Sequence, residues 1–394
     1  YLLVTLSAMT AFAPLITDMY LPALPALTDY FSTSTSMVQL TITTSMLGIA
    51  VGQLFFGSIS DKLGRRRPLF ASFFLYLLAT VGCLLSPNIY ILIGCRLLQG
   101  LGAAGSIVIA RSIASDWFSG KELLNFFALM AAVQGIAPIA APVAGGVLLL
   151  FTDWKGIFLF LGLLGLLTLC LSFYLKESLP ADKRAKGSVY VSFKLFIPVF
   201  GNRPLMLYIA LLSFSTAVMF AYIASSPFIF QEHYGVSPIA YSIIFAVNAV
   251  SLMIGNLLSA RLKRVLNYAV AGMLVFSLFT GISLLLDLPI VVLCLTLFLT
   301  LLCTGAIFPV STNLALDLEK KYKGTASAVL GASTFLIGGI VMPLAGIGNI
   351  LHSTSYVMIG CAVLAVITLF VINNFYRNPQ RDYNRTNKSK NSNQ

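Results

Sequence analysis

The side chains in this sequence that could do chemistry are ionisable groups inside long apolar segments. Asp18 lies in the apolar, proline-containing stretch APLITDMYLPALP (residues 13–25), and Arg96 lies in CRLLQGLGAAG (residues 95–105). A charge in apolar surroundings is costly unless it is partnered, so such residues are expected to serve a substrate, ion or proton pathway. Burial favours a protonated carboxyl, whereas a nearby arginine or bound cation favours the ionised form. A carboxyl under both influences could hold a proton in one state and release it in another.

The composition indicates that these side chains lie in a membrane protein. The chain has 394 residues, of which 58% are hydrophobic and 10% are charged, and its mean hydropathy is +0.92. A soluble domain carries about 25% charged residues. The apolar runs are long and do not alternate with polar residues, which favours spanning helices of about 20 residues over the strands of a barrel. The sequence therefore predicts an all-α membrane protein.

No metal or cofactor site is expected. The six cysteines all fall inside apolar runs without a close pair, so they are interpreted as small core residues rather than as disulfides or ligands. The two histidines, His233 and His352, occupy short loops without a second ligand nearby. The chain contains no G-x-x-x-x-G-K-[ST] sequence, so nucleotide is not expected as the energy source.

Apolar runs between polar breaks predict twelve transmembrane helices. Their approximate limits are 1–26, 38–60, 68–86, 89–111, 123–150, 156–175, 204–230, 239–260, 267–286, 288–314, 325–350 and 356–376. We expect residues 1–175 and 204–376 to form two pseudo-symmetric six-helix bundles, joined by a cytoplasmic linker over 176–203. Residues 377–394 are expected to form a disordered cytoplasmic tail.

The basic residues predict the orientation of these helices. If the first segment runs outward, 23 of the 25 Lys and Arg fall on the cytoplasmic side, Lys155 lies outside, and Arg96 lies within a span. This asymmetry predicts that both termini face the cytoplasm. The net charge of +12 is then a topological signal, and nucleic acid is not expected as a partner.

The loop between the second and third segments carries a spaced motif, GSISDKLGRRRPL (residues 57–69). Gly64 has the backbone freedom that a tight turn needs, and Asp61 can pair with nearby arginines or cap a helix. The spacing of Gly57, Asp61, Gly64, Arg65 and Arg66 resembles the loop signature of the major facilitator superfamily. The resemblance implies a fold of two six-helix bundles and a conformational latch at this loop.

Two further segments resemble signatures of the same superfamily. In the fourth segment, Arg96 is followed one turn later by Gln99, similar to a signature whose arginine is associated with proton transfer. The fifth segment, QGIAPIAAPVAGG (residues 134–146), resembles the signature of drug and proton antiporters. Its gating candidates are Gly135, Pro138, Pro142 and Gly145. The alternative for this segment is simple packing, because Gly and Pro are common in membrane helices.

TDMYLPALP (residues 17–25), GAIFPVSTNLAL (305–316) and KGTASAVLG (323–331) resemble the bicyclomycin-resistance group of drug:proton antiporters. The resemblance implies export of small amphipathic drugs or toxic metabolites in exchange for protons, with Asp18 as the coupling group and Arg96 as its electrostatic partner. Asp18 lies about eight residues from the outer end of its segment, a depth similar to that of Arg96, so a facing pair is geometrically possible. Its alternative role is a structural salt bridge.

Several polar and aromatic residues are candidates for a substrate site between the bundles. They are Asp18, Met19, Tyr20, Gln134, Tyr222, Asn248 and Asn313. Aromatic residues could instead face lipid or neighbouring helices. A single chain of twelve spans can work alone, so a monomer is expected.

Other functions remain open at this point. A narrow metabolite exporter, for amino acids such as cysteine, and a proton-coupled importer would share the same architecture. A membrane enzyme is disfavoured because the sequence shows no Ser/His/Asp, paired-carboxylate or metal arrangement. A receptor would be expected to carry a sizeable soluble output domain, which the sequence does not show.

Overall fold

The computed structural model describes residues 2–180, 182, 184, 196–259, 265–319 and 323–375. Residues 181, 183 and 185–195 of the predicted linker and the whole predicted tail, 377–394, therefore lie outside the described residues. Within the described part the chain is helical, as the sequence predicts. The helices are α1 (Leu2–Asp18), α2 (Leu24–Phe31), α3 (Thr35–Leu63), α4 (Arg66–Leu84), α5 (Ile89–Trp117), α6 (Gly120–Leu148), α7 (Trp154–Ser172), α8 (Phe196–Gly201), α9 (Arg203–Pro227), α10 (Pro238–Ser259), α11 (Val265–Leu285), α12 (Ile290–Asp317), α13 (Lys323–Leu344) and α14 (Ile350–Phe375).

Polar residues in the turns begin several of these helices. Ser34, Asn88, Asp153 and Asn202 each accept a hydrogen bond from a backbone N–H in the first turn of α3, α5, α7 and α9, respectively. Such caps satisfy donors that have no partner inside the helix. The turns between the apolar runs therefore fix where the spanning helices start.

Eleven helical segments within the described residues are long and apolar enough to cross a membrane. The first of them, Val4–Phe31, joins α1 to α2 through a short 3-10 turn at Leu21–Ala23, and another, Arg203–His233, joins α9 to a π-helical turn at Phe228–His233. The one predicted span not among these eleven is 123–150. It corresponds to α6, which is 29 residues long and in which Gly135–Leu148 is an apolar stretch of described residues. A helix of that length extends about 43 Å.

The two halves of the chain repeat one packing pattern. In the N-terminal half (α1–α7), α3 packs on α5, α1 on α6, and α4 on α7; in the C-terminal half (α8–α14), α10 packs on α12, α9 on α13, and α11 on α14. The α3–α5 crossing is tight because a Cβ on Gly100 would lie 2.0 Å from the Ser45 carbonyl oxygen. At the equivalent α10–α12 crossing, a Cβ on Gly255 would lie 2.0 Å from the Leu302 carbonyl oxygen. Small residues thus bring matching helices together in both halves.

The halves meet along a seam in which α3 packs on α13 and α6 packs on α10. We call the side with the Gly64 turn and residues 173–180 the basic face, and the side with residues 19–34 and 228–237 the opposite face. The seam contacts cluster towards the opposite face. Ser36 donates a hydrogen bond to the Pro343 carbonyl at 3.1 Å, and Gln39 Nε2 donates to the Ala224 carbonyl at 3.1 Å.

Glycines of α6 and α13 that are farther from the opposite face have open space beside them. A Cβ built on Gly135 or on Gly331 would meet no described heavy atom of a neighbouring element within 4 Å. Nearer the opposite face, a Cβ on Gly146 of α6 would lie 2.4 Å from Ser242 Oγ of α10, and one on Gly339 of α13 would lie 3.4 Å from Thr43 Cγ2 of α3. Among the described residues, the contacts between the halves therefore lie towards the opposite face.

Candidate functional site

Asp18 is the last residue of α1, at a break in the first span. Pro22 and Pro25, which have no backbone N–H, begin the 3-10 turn and α2 that follow. The Asp18 side chain is 7% exposed, and among the described residues Thr17 Oγ1 donates to its Oδ1 at 2.9 Å. Because the span continues to Phe31, Asp18 is nearer its middle than the predicted eight residues from its end. The sequence count was short because it ended this span at residue 26.

Arg96 is fully buried in α5 and lies against the end of α1. Its guanidinium donates to the carbonyls of Ile16 at 3.0 Å and Thr41 at 3.3 Å, and to Gln99 Oε1 at 2.7 Å. Since α1 ends at Asp18, the Ile16 carbonyl lacks its partner four residues on, and Arg96 supplies a donor instead.

The described residues contain no ion pair between Arg96 and Asp18, so the facing pair considered from the sequence is not formed in this state. The Arg96 donors are instead occupied by uncharged acceptors. Its guanidinium also lies 4.7 Å from the Tyr20 ring centroid and 5.7 Å from that of Phe158. Such cation–π contacts help to offset the desolvation of the charge. A role for Arg96 in proton coupling remains a prediction.

Met19 and Tyr20, which were candidates for lining a substrate site, are buried by packing in this state. The Met19 carbonyl oxygen lies against Gly145 of α6, where a Cβ would approach it to 2.0 Å. Tyr20 is enclosed between Arg96 and Phe158, and its hydroxyl accepts a hydrogen bond from Thr41 at 3.4 Å. Both residues therefore fix the position of the break in the first span through their contacts with α3, α5, α6 and α7. Substrate contact by either one remains a prediction.

Tyr222 and Asn248 form a buried pair in the C-terminal half. Asn248 Nδ2 donates to the Tyr222 hydroxyl at 2.8 Å, and the Tyr222 ring stacks on Phe245 with centroids 5.7 Å apart. The amide and phenol thus satisfy each other inside the apolar half. Nearby, the hydroxyls of Ser226 and Tyr241 are hydrogen-bonded at 3.1 Å.

The remaining candidates are placed differently. Asn313 is exposed, four residues before the end of α12 at Asp317, and so lies towards the basic face rather than at the middle of the span. Gln134 belongs to α6, but its side chain lies outside the described residues.

Pro138 and Pro142 are inside α6, which continues through both of them. The neighbouring helices of a membrane bundle can accommodate such prolines.

On the basic face, the loop motif forms an ion cluster. Arg65 pairs with Asp61, as the motif predicts, and also with Asp116 at the end of α5, where Nε and Oδ2 are 2.9 Å apart. The Nη1 atom of Arg65 donates a hydrogen bond to Ser60 Oγ at 3.0 Å. Burial opposes the charged form, but the hydrogen bonds and charges of Asp116 and Asp61 hold the pKa of Arg65 above its ordinary value.

Gly64 makes the turn of this loop with a φ of +86°, so the predicted need for glycine is met there. Glu177 packs against it and accepts hydrogen bonds from the backbone N–H groups of Arg65 at 2.7 Å and Arg66 at 3.2 Å. Partial burial opposes ionisation, but these donors and the Leu179 N–H hold the pKa of Glu177 below its ordinary value. Gly57, one turn before Asp61, lies against Val108 of α5 with ordinary contact distance.

Sequence reasoning did not identify four residues that this geometry makes important. Asp116 and Glu177 complete the cluster on the basic face, and Gln39 and Tyr241 lie at the seam. The sequence could have indicated Asp116, because it is an acid that follows the predicted fourth span on the side that the positive-inside rule makes basic. The other three are set by tertiary packing, which residue spacing does not reveal.

The comparisons agree with this geometry. A family model described as Major Facilitator Superfamily matches the chain over residues 6–286 and again over 239–393. An uncharacterized MFS-type transporter, YdgK, from Bacillus subtilis (strain 168) is 36% identical over 353 residues, covering 87% of this chain and 88% of the relative. A bicyclomycin resistance protein homolog from Haemophilus influenzae is 24% identical over 381 residues, covering 94% of this chain and 95% of the relative.

Solved structures share the fold. A bacterial homolog to the human lysosomal transporter Spinster, in an inward-facing and unoccupied conformation, superposes with a TM-score of 0.75. The match covers 93% of this chain and 95% of that chain at 17% sequence identity, so it concerns the fold alone. Together with the family match, it confirms the resemblance that the loop and span motifs indicate. The chain belongs to the major facilitator superfamily, a family of transporters rather than enzymes.

Proposed function

We propose that this transporter is a proton-coupled antiporter that exports small amphipathic drugs or toxic metabolites by alternating access. The observation that carries the proposal is the position of Asp18, a buried carboxyl at a helix break beside the seam between the two halves. A group there can be reached from one side of the membrane at a time as the halves rock. The bicyclomycin resistance protein homolog supports drugs as the substrate class.

Proton exchange requires that Asp18 changes its protonation during the cycle. Burial without a paired cation favours the protonated carboxyl, and hydration or a cationic substrate would favour the ionised one. In the described state, Thr17 supplies one hydrogen bond and no described basic side chain pairs with Asp18. The site can therefore hold a proton in this state and release it when water or substrate enters.

The charge distribution supports an inward-facing assignment. We infer that the basic face is cytoplasmic, because 23 of the 25 Lys and Arg fall in the segments on that side. The bilayer would then be the bacterial inner membrane, with both termini in the cytoplasm and the chain acting as a monomer. The contacts near Ser36 and Gln39 would then close the seam on the outer side, and the open space beside Gly135 and Gly331 would lie farther towards the cytoplasm.

The deciding experiment is gradient-driven transport in everted membrane vesicles. Bicyclomycin, which is uncharged, and ethidium, a cation, serve as probes. The wild type is expected to accumulate a probe when the vesicle interior is acidified, and Asp18→Asn is expected to abolish that accumulation at equal protein level. The control is Asp29→Asn, the same substitution at an exposed acid of the same span, which should leave transport intact. Normal accumulation by Asp18→Asn would refute the proposal, and probe movement together with protons would indicate import by symport.

A further inference from the structure

Tyr241 of α10 is a fully buried tyrosine that the proposed function leaves without a role. Its hydroxyl is hydrogen-bonded to Ser226 Oγ at 3.1 Å. Its ring is held between Phe230 and Phe245, with centroid distances of 6.3 Å and 6.1 Å. The ring is therefore fixed by packing, while the hydroxyl can still rotate about its C–O bond.

Two consecutive glycines of α6 place Tyr241 near the break in the first span. A Cβ on Gly145 would lie 2.0 Å from the carbonyl oxygen of Met19, the residue after Asp18. A Cβ on Gly146 would lie 2.4 Å from the side chain of Ser242, the residue after Tyr241. The 3-10 turn that follows Asp18 also packs on α10. Asp18 and Tyr241 therefore approach the seam at the same level from opposite halves.

At this level the Asp18 carboxyl and the Tyr241 hydroxyl, which belong to different halves, are within the range of an electrostatic interaction. The ionisable side chains that face Tyr241 are Asp18 from α1 and Tyr222 from α9. The helix α6 presents glycine there, and the π-helical turn presents Phe230. Arg96 faces Tyr20 and Phe158 inside the N-terminal half. Tyr241 is thus a described polar group of the C-terminal half on which the charge of Asp18 can act.

From Tyr241, polar contacts continue into the C-terminal half. Ser226 interacts with the Tyr222 side chain as well as with Tyr241, and Tyr222 accepts the hydrogen bond of Asn248. A small cavity lies beside Tyr222 and Ser226, bounded further in by Leu284, Leu297 and Met358. A reorientation of the Tyr241 hydroxyl would therefore affect, through Ser226, the hydrogen-bonded pair of Tyr222 and Asn248.

We propose that Tyr241 is the positioning residue through which Asp18 acts on the C-terminal half. The inference rests on the proposed function, since it needs Asp18 to exchange a proton. In the described state, the Tyr241 hydroxyl is shared with Ser226. When Asp18 becomes ionised, its charge attracts the O–H dipole of Tyr241 across the seam, which weakens the bond to Ser226 inside the C-terminal half. Protonation of Asp18 restores that bond. No covalent bond changes, and the proton of Tyr241 stays on its oxygen.

The test is the pH profile of probe binding to purified protein, with ethidium as the probe. Tyr241→Phe keeps the ring but removes the hydroxyl that stabilises ionised Asp18. The midpoint of the profile is therefore expected to move to higher pH by about half a pH unit. This shift corresponds to the net free energy of one hydrogen bond. Affinity on the plateau should change by no more than about threefold, the factor to which half a pH unit corresponds. The control is Tyr234→Phe, which removes a hydroxyl bonded to the Leu288 carbonyl in the same half and should leave the midpoint unchanged.

A second comparison separates this inference from the proposed function. In the Asp18→Asn background, Tyr241→Phe should cause no further change in the pH profile; a persisting shift would show that Tyr241 acts independently and would overturn the inference. An unshifted midpoint in Tyr241→Phe alone, with Asp18→Asn inactive, would overturn the inference and leave the proposed function standing. If Tyr241→Phe does not fold, Ser226→Ala removes the partner of the same hydroxyl and should move the midpoint, and no movement would again count against the inference.

Discussion

Gln39 of α3 donates a hydrogen bond from Nε2 to the Ala224 carbonyl of α9, 3.1 Å away across the seam between the two halves. The side chain is fully buried, and its Oε1 has no described partner. A Cβ on Gly346, beyond the end of α13, would lie 2.1 Å from that oxygen. Leaving a buried polar atom unpaired is costly. The Gln39 amide therefore helps to hold the opposite face closed through Nε2, while its buried Oε1 remains without a described hydrogen-bond partner.

The first prediction concerns this closure. Gln39→Leu removes the bond to Ala224, so the seam should open at the opposite face more often, by about fivefold for a loss of ~1 kcal/mol. The measurement is maleimide labelling of Thr43→Cys, a substitution at a residue that is buried at the seam against Met342, in a background without the six native cysteines.

The matched control for this measurement is Asn202→Leu. It also removes a bond from a side-chain amide to a backbone carbonyl, that of Leu318, but this bond lies within one half. Labelling of the thiol introduced by Thr43→Cys should not rise in that variant. Equal labelling of the Gln39→Leu variant and its parent would show that the amide does not hold the opposite face closed.

Two glycines of α6 give a paired prediction about stability. Gly145→Ala forces a Cβ to within 2.0 Å of the rigid Met19 backbone, so α1 and α6 must separate; overpacking of this kind costs about 1–3 kcal/mol. Gly135→Ala meets no described heavy atom within 4 Å and gains helix propensity, up to about 1 kcal/mol. In detergent, the melting temperature should fall for Gly145→Ala and stay level or rise for Gly135→Ala. Equal melting temperatures would contradict the close contact of α6 with Met19.

The motifs predicted local geometry well. The need for a glycine at residue 64 follows from a turn between two helices, and the turn has φ +86° there. The contact of Arg96 with Gln99 follows from their separation of three residues on one helix, which places them on the same face. Both relationships depend on nearby residues, so the sequence contains the information that is needed.

Relationships between helices were harder to predict, because they depend on how far each helix is rotated. Depth along a span allowed Arg96 to face Asp18, but α1 ends at Asp18 and leaves the Ile16 carbonyl as the acceptor for the guanidinium. The exposure of Asn313 and the burial of Tyr20 were unpredictable for the same reason. Residue spacing gives depth but not the direction in which a side chain points.

Arg96 provides a third prediction. Arg96→Lys keeps the charge, but a single ammonium group cannot reach the three acceptors that the planar guanidinium joins. We expect a loss of about 2 kcal/mol or more in stability and a changed pH dependence of probe binding, since the end of α1 beside Asp18 loses its donor. Thermal unfolding and binding titrations from pH 5 to 9 would measure both. A binding profile identical to that of the wild type would remove Arg96 from the coupling mechanism.

The last prediction concerns Glu177, whose carboxylate accepts the first backbone N–H groups of α4 and so replaces a missing N-terminal cap. Because the folded-state pKa of Glu177 is lowered, the stabilisation is present at pH values above its ordinary pKa of about 4.3 and is lost as pH falls through the lower folded value. Glu177→Gln should therefore reduce stability near pH 7 by only ~0.3–1 kcal/mol, since the group is largely exposed. The difference in melting temperature from the wild type should shrink as pH falls below the ordinary range of glutamate. Glu122→Gln, in the first turn of α6, is the control, because its carboxylate accepts no hydrogen bond from another segment in the described structure. A Glu177→Gln difference that stayed constant down to acid pH would mean that the carboxylate charge does not stabilise the start of α4.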